Sequence, residues 1–281
     1  MKTRKNYVFY IIILLLSVAV NAQEKAFQVK VIGEGDPLLF FPGFTCTDEV
    51  WEAQVNELSQ THQCHLFTFA GFGEVPPIEF PWFPKVEAQV LDYITSNALE
   101  QSVAIGHSLG GTLALSLAAK QPIFKKLIIV DALTATGALM FPNFKSENMV
   151  YDSPYNNQLL AMSSDDFANM ASGMASGMTL NEERRDQIKT WMLQADRETY
   201  VYGYTDYLKL DLREAVSTIS IPVTILAATQ PYGEAMAKQT YEGQYANLSN
   251  YELHFAKGAS HFIMFDQPNW FIEQLRIILS K

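Results

Sequence analysis

Residues 102–119 read SVAIGHSLGGTLALSLAA, and one serine in that run is placed to act as a nucleophile. Ser108 stands between Gly106 and Gly110, after a short apolar run and before a small-residue stretch of helical character. A strand that turns sharply into a helix strains the backbone at the turn and lifts the side chain clear of the sheet. Residues two before and two after would collide there unless very small, which accounts for both glycines. The helix beginning at Leu109 aims its free N–H groups and the positive end of its dipole at the same spot. Such a serine can attack a carbonyl carbon once a base takes its proton.

The base must work near pH 7 within hydrogen-bond reach, which suits imidazole. Of five histidines, His62 and His65 flank Cys64 at the start of a strand. Alternate side chains leave a strand on opposite faces, so these three are not expected to hold a metal ion. His107 is expected to pack or hydrogen-bond beside the serine, and His254 falls inside a strand. His261 differs: it follows the last strand, in the loop KGASH, just ahead of a helix.

Short apolar runs alternate with helical patterns, which predicts an α/β fold with a mostly parallel sheet covered on both faces. Strands are expected over 27–33, 37–43, 64–70, 102–106, 126–131, 222–228 and 251–257, with EGD joining the first two as a hairpin. Helices are expected over 47–60, capped by Thr47, and over 85–99, 109–120, 234–246 and 268–280. From 133 to 216 no strand pattern occurs, which predicts a helical insertion in a core of 23–132 and 217–281. Within it, Thr179–Glu182 and Asp211–Glu214 each fit a capping box. Met162, Met170, Met174, Met178, Trp191, Met192, Tyr200, Tyr204 and Tyr207 recur at helical spacing there. Singly they read as packing of cap on core, and together as an apolar, adaptable roof. Gly173 and Gly177 weaken their helix by about 1 kcal/mol each relative to Ala and mark a stretch suited to a moving lid. The proline-rich run 75–84 suits neither strand nor helix and is placed at the entrance.

Several segments together resemble the α/β-hydrolase fold family. They are GHSLG (106–110), LLFFPGFTCTDEVW (38–51), FTFAGFGEVPP (67–77) and GASHFIMFDQPNWF (258–271). More narrowly they resemble a bacterial, exported esterase-like subgroup with AGF…VPP after the fourth strand. The resemblance covers essentially all of the chain beyond residue 22. It implies an α/β-hydrolase fold with a helical cap inserted after strand six, the strand at 126–131. It further implies a serine hydrolase that needs no cofactor and cleaves carboxylic esters of small to medium apolar substrates through an acyl-enzyme. Ser108 would be the nucleophile and His261 the base. Oxyanion donors would be the N–H of Leu109 and that of Phe44, with Thr45 as the nearby alternative. The same fold also serves carbon–carbon bond hydrolysis, cofactor-free perhydrolysis and non-catalytic ligand binding.

The base needs a carboxylate on Nδ1 to fix its tautomer and stabilise the imidazolium. The usual place for it in that family is the turn at 229–232, which here reads Thr-Gln-Pro-Tyr. Asp131, at the end of the strand 126–131, lies on the sheet edge where ligand crevices form. Some members of the family, haloalkane dehalogenases among them, take their acid from that strand end. Glu234 is the alternative, although an acid in the first turn of a helix is favoured anyway.

The first 22 residues read as an export signal: Lys2, Arg4 and Lys5, an apolar run from Tyr7 to Val20, and small residues up to Ala22. Of 20 basic residues the signal holds three, and of 30 acidic residues none, so 17 against 30 leaves the remaining chain at −13. Such a surface repels nucleic acids and anionic lipids, and the expected partner is a small apolar ester. Cys46 and Cys64 are expected at opposite ends of neighbouring strands, too far apart to bridge and so free thiols.

Overall fold

The computed structural model describes residues 24–281, so the segment 1–22 that the sequence suggests is an export signal lies outside the described residues. Seven strands form one sheet: β1 (Phe27–Ile32), β2 (Asp36–Phe41), β3 (His62–Phe69), β4 (Ser102–His107), β5 (Phe124–Val130), β6 (Val223–Ala228) and β7 (Tyr251–Ala256). Their spatial order is β1-β3-β2-β4-β5-β6-β7, parallel except for β1. The EGD turn therefore does not close a hairpin. β1 pairs antiparallel with β3, Phe27 opposite Phe69, and β3 separates it from β2. The strand before the insertion is the fifth in this chain, not the sixth.

Both faces of the sheet are covered. Leu39, Phe41, Phe67, Ala104, Ile129 and Ile225 belong to one buried cluster, and their neighbours Leu38, Phe40, Leu66, Ile105, Ile128 and Leu226 to the other. That alternation is the two-residue period of a pleated strand buried on each side. The first cluster takes in α2 (Trp82–Ser96) and α3 (Leu109–Lys120) of the helices. The second takes in α1 (Glu52–Leu58), α11 (Pro268–Leu279) and most of the apolar residues of the cap.

Between β5 and β6 the chain forms helices joined by loops, with no strand among the described residues. The segments are α4 (Thr136–Met140), α5 (Pro154–Ala161), α6 (Ser164–Met178), α7 (Glu182–Gln194) and a π-helical turn that leads into α8 (Tyr204–Leu208). After β6 comes α9 (Glu234–Gln244), and α10 (Ile263–Asp266) precedes α11. Among the described residues no helix is long and apolar enough to cross a membrane.

Local capping differs from the sequence reading at three places. Thr47 makes no side-chain cap bond, and its segment starts as a 3₁₀ turn, Asp48–Trp51. Asn181 rather than Thr179 caps α7, accepting from Glu183 N–H, while the Thr179 hydroxyl donates to Asp266. Asp211 pairs with Arg213 ahead of a short 3₁₀ turn instead of starting an α-helix. The 75–84 run lines no part of the cavity described below: Val75, Ile78, Trp82 and Phe83 are core residues, and α2 begins inside it. A side chain at Gly173 or Gly177 would meet open space, so neither glycine is there for close packing.

The helical segment after β5 and α2 are joined by a buried carboxylate. No neighbouring side chain caps α2, yet Oδ2 of Asp206, on α8, accepts from the N–H groups of Trp82 at 2.6 Å and Phe83 at 3.3 Å. Its Oδ1 accepts from the Tyr151 hydroxyl at 2.6 Å. Asp206→Ala strands those donors in the interior and is expected to cost about 2–3 kcal/mol of stability, with Asp206→Asn losing less. Urea unfolding of the three proteins followed by fluorescence checks this.

Candidate active site

Ser108 sits at the junction of β4 and α3 with φ 52° and ψ −123°, a conformation rare for a residue bearing a side chain. The tightness around it explains the flanking glycines. A Cβ on Gly106 would lie 2.4 Å from the carbonyl oxygen of Gly110, and one on Gly110 would lie 2.2 Å from that of Phe41. The turn Gly43–Cys46, closed by Cys46 N–H on Gly43 O at 3.1 Å, lies against the serine, since a Cβ on Gly43 would be 3.4 Å from Ser108 Cβ. Leu109 opens α3, and among the described residues its N–H and that of Phe44 take no partner.

Asp131 and His261 meet. The Nδ1–H of His261 donates to Oδ2 of Asp131 at 2.6 Å. Oδ1 of Asp131 accepts from Ala228 N–H at 2.7 Å and from the Tyr241 hydroxyl at 2.8 Å. Burial raises the proton affinity of this carboxyl, but the hydrogen bonds from His261, Ala228 and Tyr241, together with the His261 charge, outweigh it and hold the pKa below the ordinary value. Asp131 takes the left-handed φ of 44° and Thr45 a φ of 65°, so three backbone outliers, Thr45, Ser108 and Asp131, stand at this one site. Glu234 is elsewhere: its carboxylate pairs with Lys257 at 3.0 Å on the surface.

The turn that lacks an acid has another task. Thr229 and Gln230 donate their N–H groups to Ala259 O at 3.1 and 2.9 Å, and the Thr229 hydroxyl accepts from Gly258 N–H at 2.8 Å. The loop carrying His261 is also fixed from the other side. Ser260 N–H donates to Asp266 at 2.7 Å, and Phe262 N–H donates to Met178 O, the end of α6, at 3.1 Å. Beneath it, His107 Nε2–H donates to the His261 carbonyl at 3.0 Å, with ring centroids 4.6 Å apart. Burial, aided by repulsion from His261, lowers the His107 pKa to about 3, so this second imidazole is neutral and structural.

Ser108, Asp131 and His261 line one cavity of about 1270 Å³, with Gly43–Cys46 at its edge. Of the nine cap residues singled out from the sequence, Met174, Met178, Met192, Tyr200, Tyr204 and Tyr207 reach it; Met162, Met170 and Trp191 do not. Cys46 and Cys64 are buried free thiols, and burial raises both, Cys64 to about 11. His65 is bonded to Tyr93 and Gln63 at 2.8 and 2.9 Å, and no cluster able to hold a metal occurs among the described residues.

Sequence reasoning missed Tyr241 and the Ala228 N–H. Ala228 carries no chemical signal. Tyr241 and Tyr245, four apart at the end of α9, had only the spacing of a buried stripe to announce them.

Known proteins share this organisation. The chain is 23% identical to 3-oxoadipate enol-lactonase 1 of Acinetobacter baylyi, over 90% of its own length and 92% of that protein. It is 24% identical to the biotin biosynthesis bifunctional protein BioHC of Cellvibrio japonicus over 85% of this chain, and spans about half (46%) of that longer protein. Among solved structures, an esterase from Exiguobacterium antarcticum superposes with a TM-score of 0.77 at 16% identity, over 91% of this chain and 96% of the other. The model of the alpha/beta hydrolase family matches residues 38–274, and the chain belongs to that family.

Proposed function

We propose that the protein is an exported serine hydrolase that cleaves carboxylic esters of uncharged, apolar substrates through an acyl-enzyme. The observation that carries this reading is the 2.6 Å bond from His261 to Asp131 on a cavity that Ser108 shares. In the proposed reaction, His261 Nε2 takes the Ser108 proton as Oγ attacks the ester carbonyl. Asp131 keeps the imidazole proton on Nδ1 and stabilises the imidazolium as it forms. The N–H groups of Leu109 and Phe44 receive the negative oxygen. Collapse expels the alcohol, which takes its proton from His261, and water then attacks the acyl-enzyme by the same steps. A relative named as an enol-lactonase favours esters and lactones over amides. Export rests on the basic residues and apolar run of the first 22 residues.

The lining argues for substrate class. A volume of about 1270 Å³ exceeds the roughly 300–1,000 Å³ of ordinary ligand pockets, leaving room beyond the small to medium size suggested by the sequence. Apart from the imidazoles, the Cys46 thiol and the phenols, the only ionisable side chain on the described wall besides Asp131 is Lys145, which is exposed. Arg197, in the cap, is engaged elsewhere: it lies 3.6 Å over the Phe167 ring and donates to Leu159 O and Met162 O. A substrate carboxylate seated in this cavity would lose its water and meet no buried cation on the described wall.

A serine-directed fluorophosphonate is expected to label the wild-type protein and not Ser108→Ala, as read by mass spectrometry. Asp131→Asn is expected to lower kcat by a factor of about 10⁴, with Glu234→Gln at wild-type turnover. Full turnover by Asp131→Asn would remove this aspartate from the mechanism. Nitrophenyl octanoate is expected to exceed the nitrophenyl monoester of octanedioic acid in kcat/KM by about tenfold or more, and equal values would sink the charge argument.

A further inference from the structure

The reaction above uses one oxygen of Asp131, and the structure puts a phenol on the other. Tyr241 is 6% exposed, and its hydroxyl donates to Oδ1 at 2.8 Å beside the Ala228 N–H at 2.7 Å. Its ring is parallel to that of Tyr245, with centroids 6.1 Å and planes 3° apart. The Tyr245 hydroxyl donates to Ala132 O at 2.7 Å, so two stacked phenols, one from α9 and one from the residue that ends it, hold consecutive residues of one strained turn. Only one of the two touches the carboxylate.

Resting on the ester-hydrolase reading, we propose that Tyr241 is a positioning residue of the site. Its O–H fixes Oδ1, leaves Oδ2 to His261, and sets the pH below which the imidazole stops serving as base. A donor on Oδ1 disperses the carboxylate charge and lowers the affinity of the coupled Asp131–His261 pair for an additional proton. Losing that donor must raise it.

Few other groups face the pair. Among the described residues these are His107 from β4, Tyr207 from α8 and Tyr245 from just past α9. His107 is held neutral, and burial raises both phenols above their ordinary value. Asp266 is turned to the backbone of the histidine loop at Ser260, and Glu234 to Lys257. The acidic limb of activity is thereby left to the pair that Tyr241 touches.

The test is the pH profile of kcat/KM on nitrophenyl butyrate for the wild type, Tyr241→Phe and Tyr245→Phe. Tyr241→Phe is expected to move the acidic limb up by about half a unit to one unit and to lower kcat more than it changes KM. Tyr245→Phe, which breaks the bond to Ala132 and spares the carboxylate, is expected to lose thermal stability with its limb in place. Should Tyr241→Phe not fold, 3-fluorotyrosine placed at position 241 keeps the shape with a more acidic phenol, and its limb is expected to move down. The low-field proton resonance of His261 Nδ1–H is expected to shift in either Tyr241 variant and not in Tyr245→Phe. A limb unmoved by substitution at 241, or moved equally at 245, overturns the assignment. If the fluorophosphonate instead fails to label Ser108, the ester-hydrolase reading itself falls, whereas full turnover by Asp131→Asn removes the aspartate, and Tyr241 with it, from the mechanism.

Discussion

A carboxylate kept ionised where little water reaches is the constraint behind this site. Asp131 stands at the tip of a central strand, largely covered, where an unsupported carboxyl would take up a proton. Three donors prevent that, and each comes from a different part of the chain: the end of β6, the middle of α9 and the loop after β7. Strand order makes this possible. Because β5 lies beside β6 and β6 beside β7, the tips that carry Asp131, Ala228 and the histidine loop are successive neighbours along one edge.

With the carboxylate that meets His261 placed after β5, the turn after β6 is left a purely mechanical part. Thr229 and Gln230 hold the backbone of the histidine loop by three hydrogen bonds, where an acid in that turn would act on the ring. His107 supports the same loop from below, and its deep burial keeps it neutral, so it adds no charge that would compete with the aspartate. Precision at the imidazole thus comes from backbone bonds around it as much as from the one carboxylate that it touches.

The sheet, the nucleophile turn and the histidine loop were legible because each is written locally. Apolar runs of strand length, glycines two residues either side of Ser108, and a histidine just past the last strand are short-range signals. Asp131 was legible through its place at a strand tip. Partner choice between distant strands was not: EGD looks like a hairpin turn, yet β3 inserts beside β1 because the pairing is decided by packing across the whole sheet. Thr47 and Thr179 fit capping patterns, and tertiary contacts drew the Thr179 hydroxyl to Asp266 instead. Tyr241 stayed hidden because a phenol on a buried helix face reads as packing until its partner across the fold is known.

The bond between Phe262 N–H and Met178 O ties the end of α6 to the segment bearing His261, and Asp266 joins the residues after α6 to that same segment. A cap that hinged upward at this end would carry the imidazole off with it, so an open form of that kind would be a silent one. By contrast, Leu139, Met140 and Phe141 line the same cavity half in solvent and, among the described residues, make no hydrogen bond to the histidine loop.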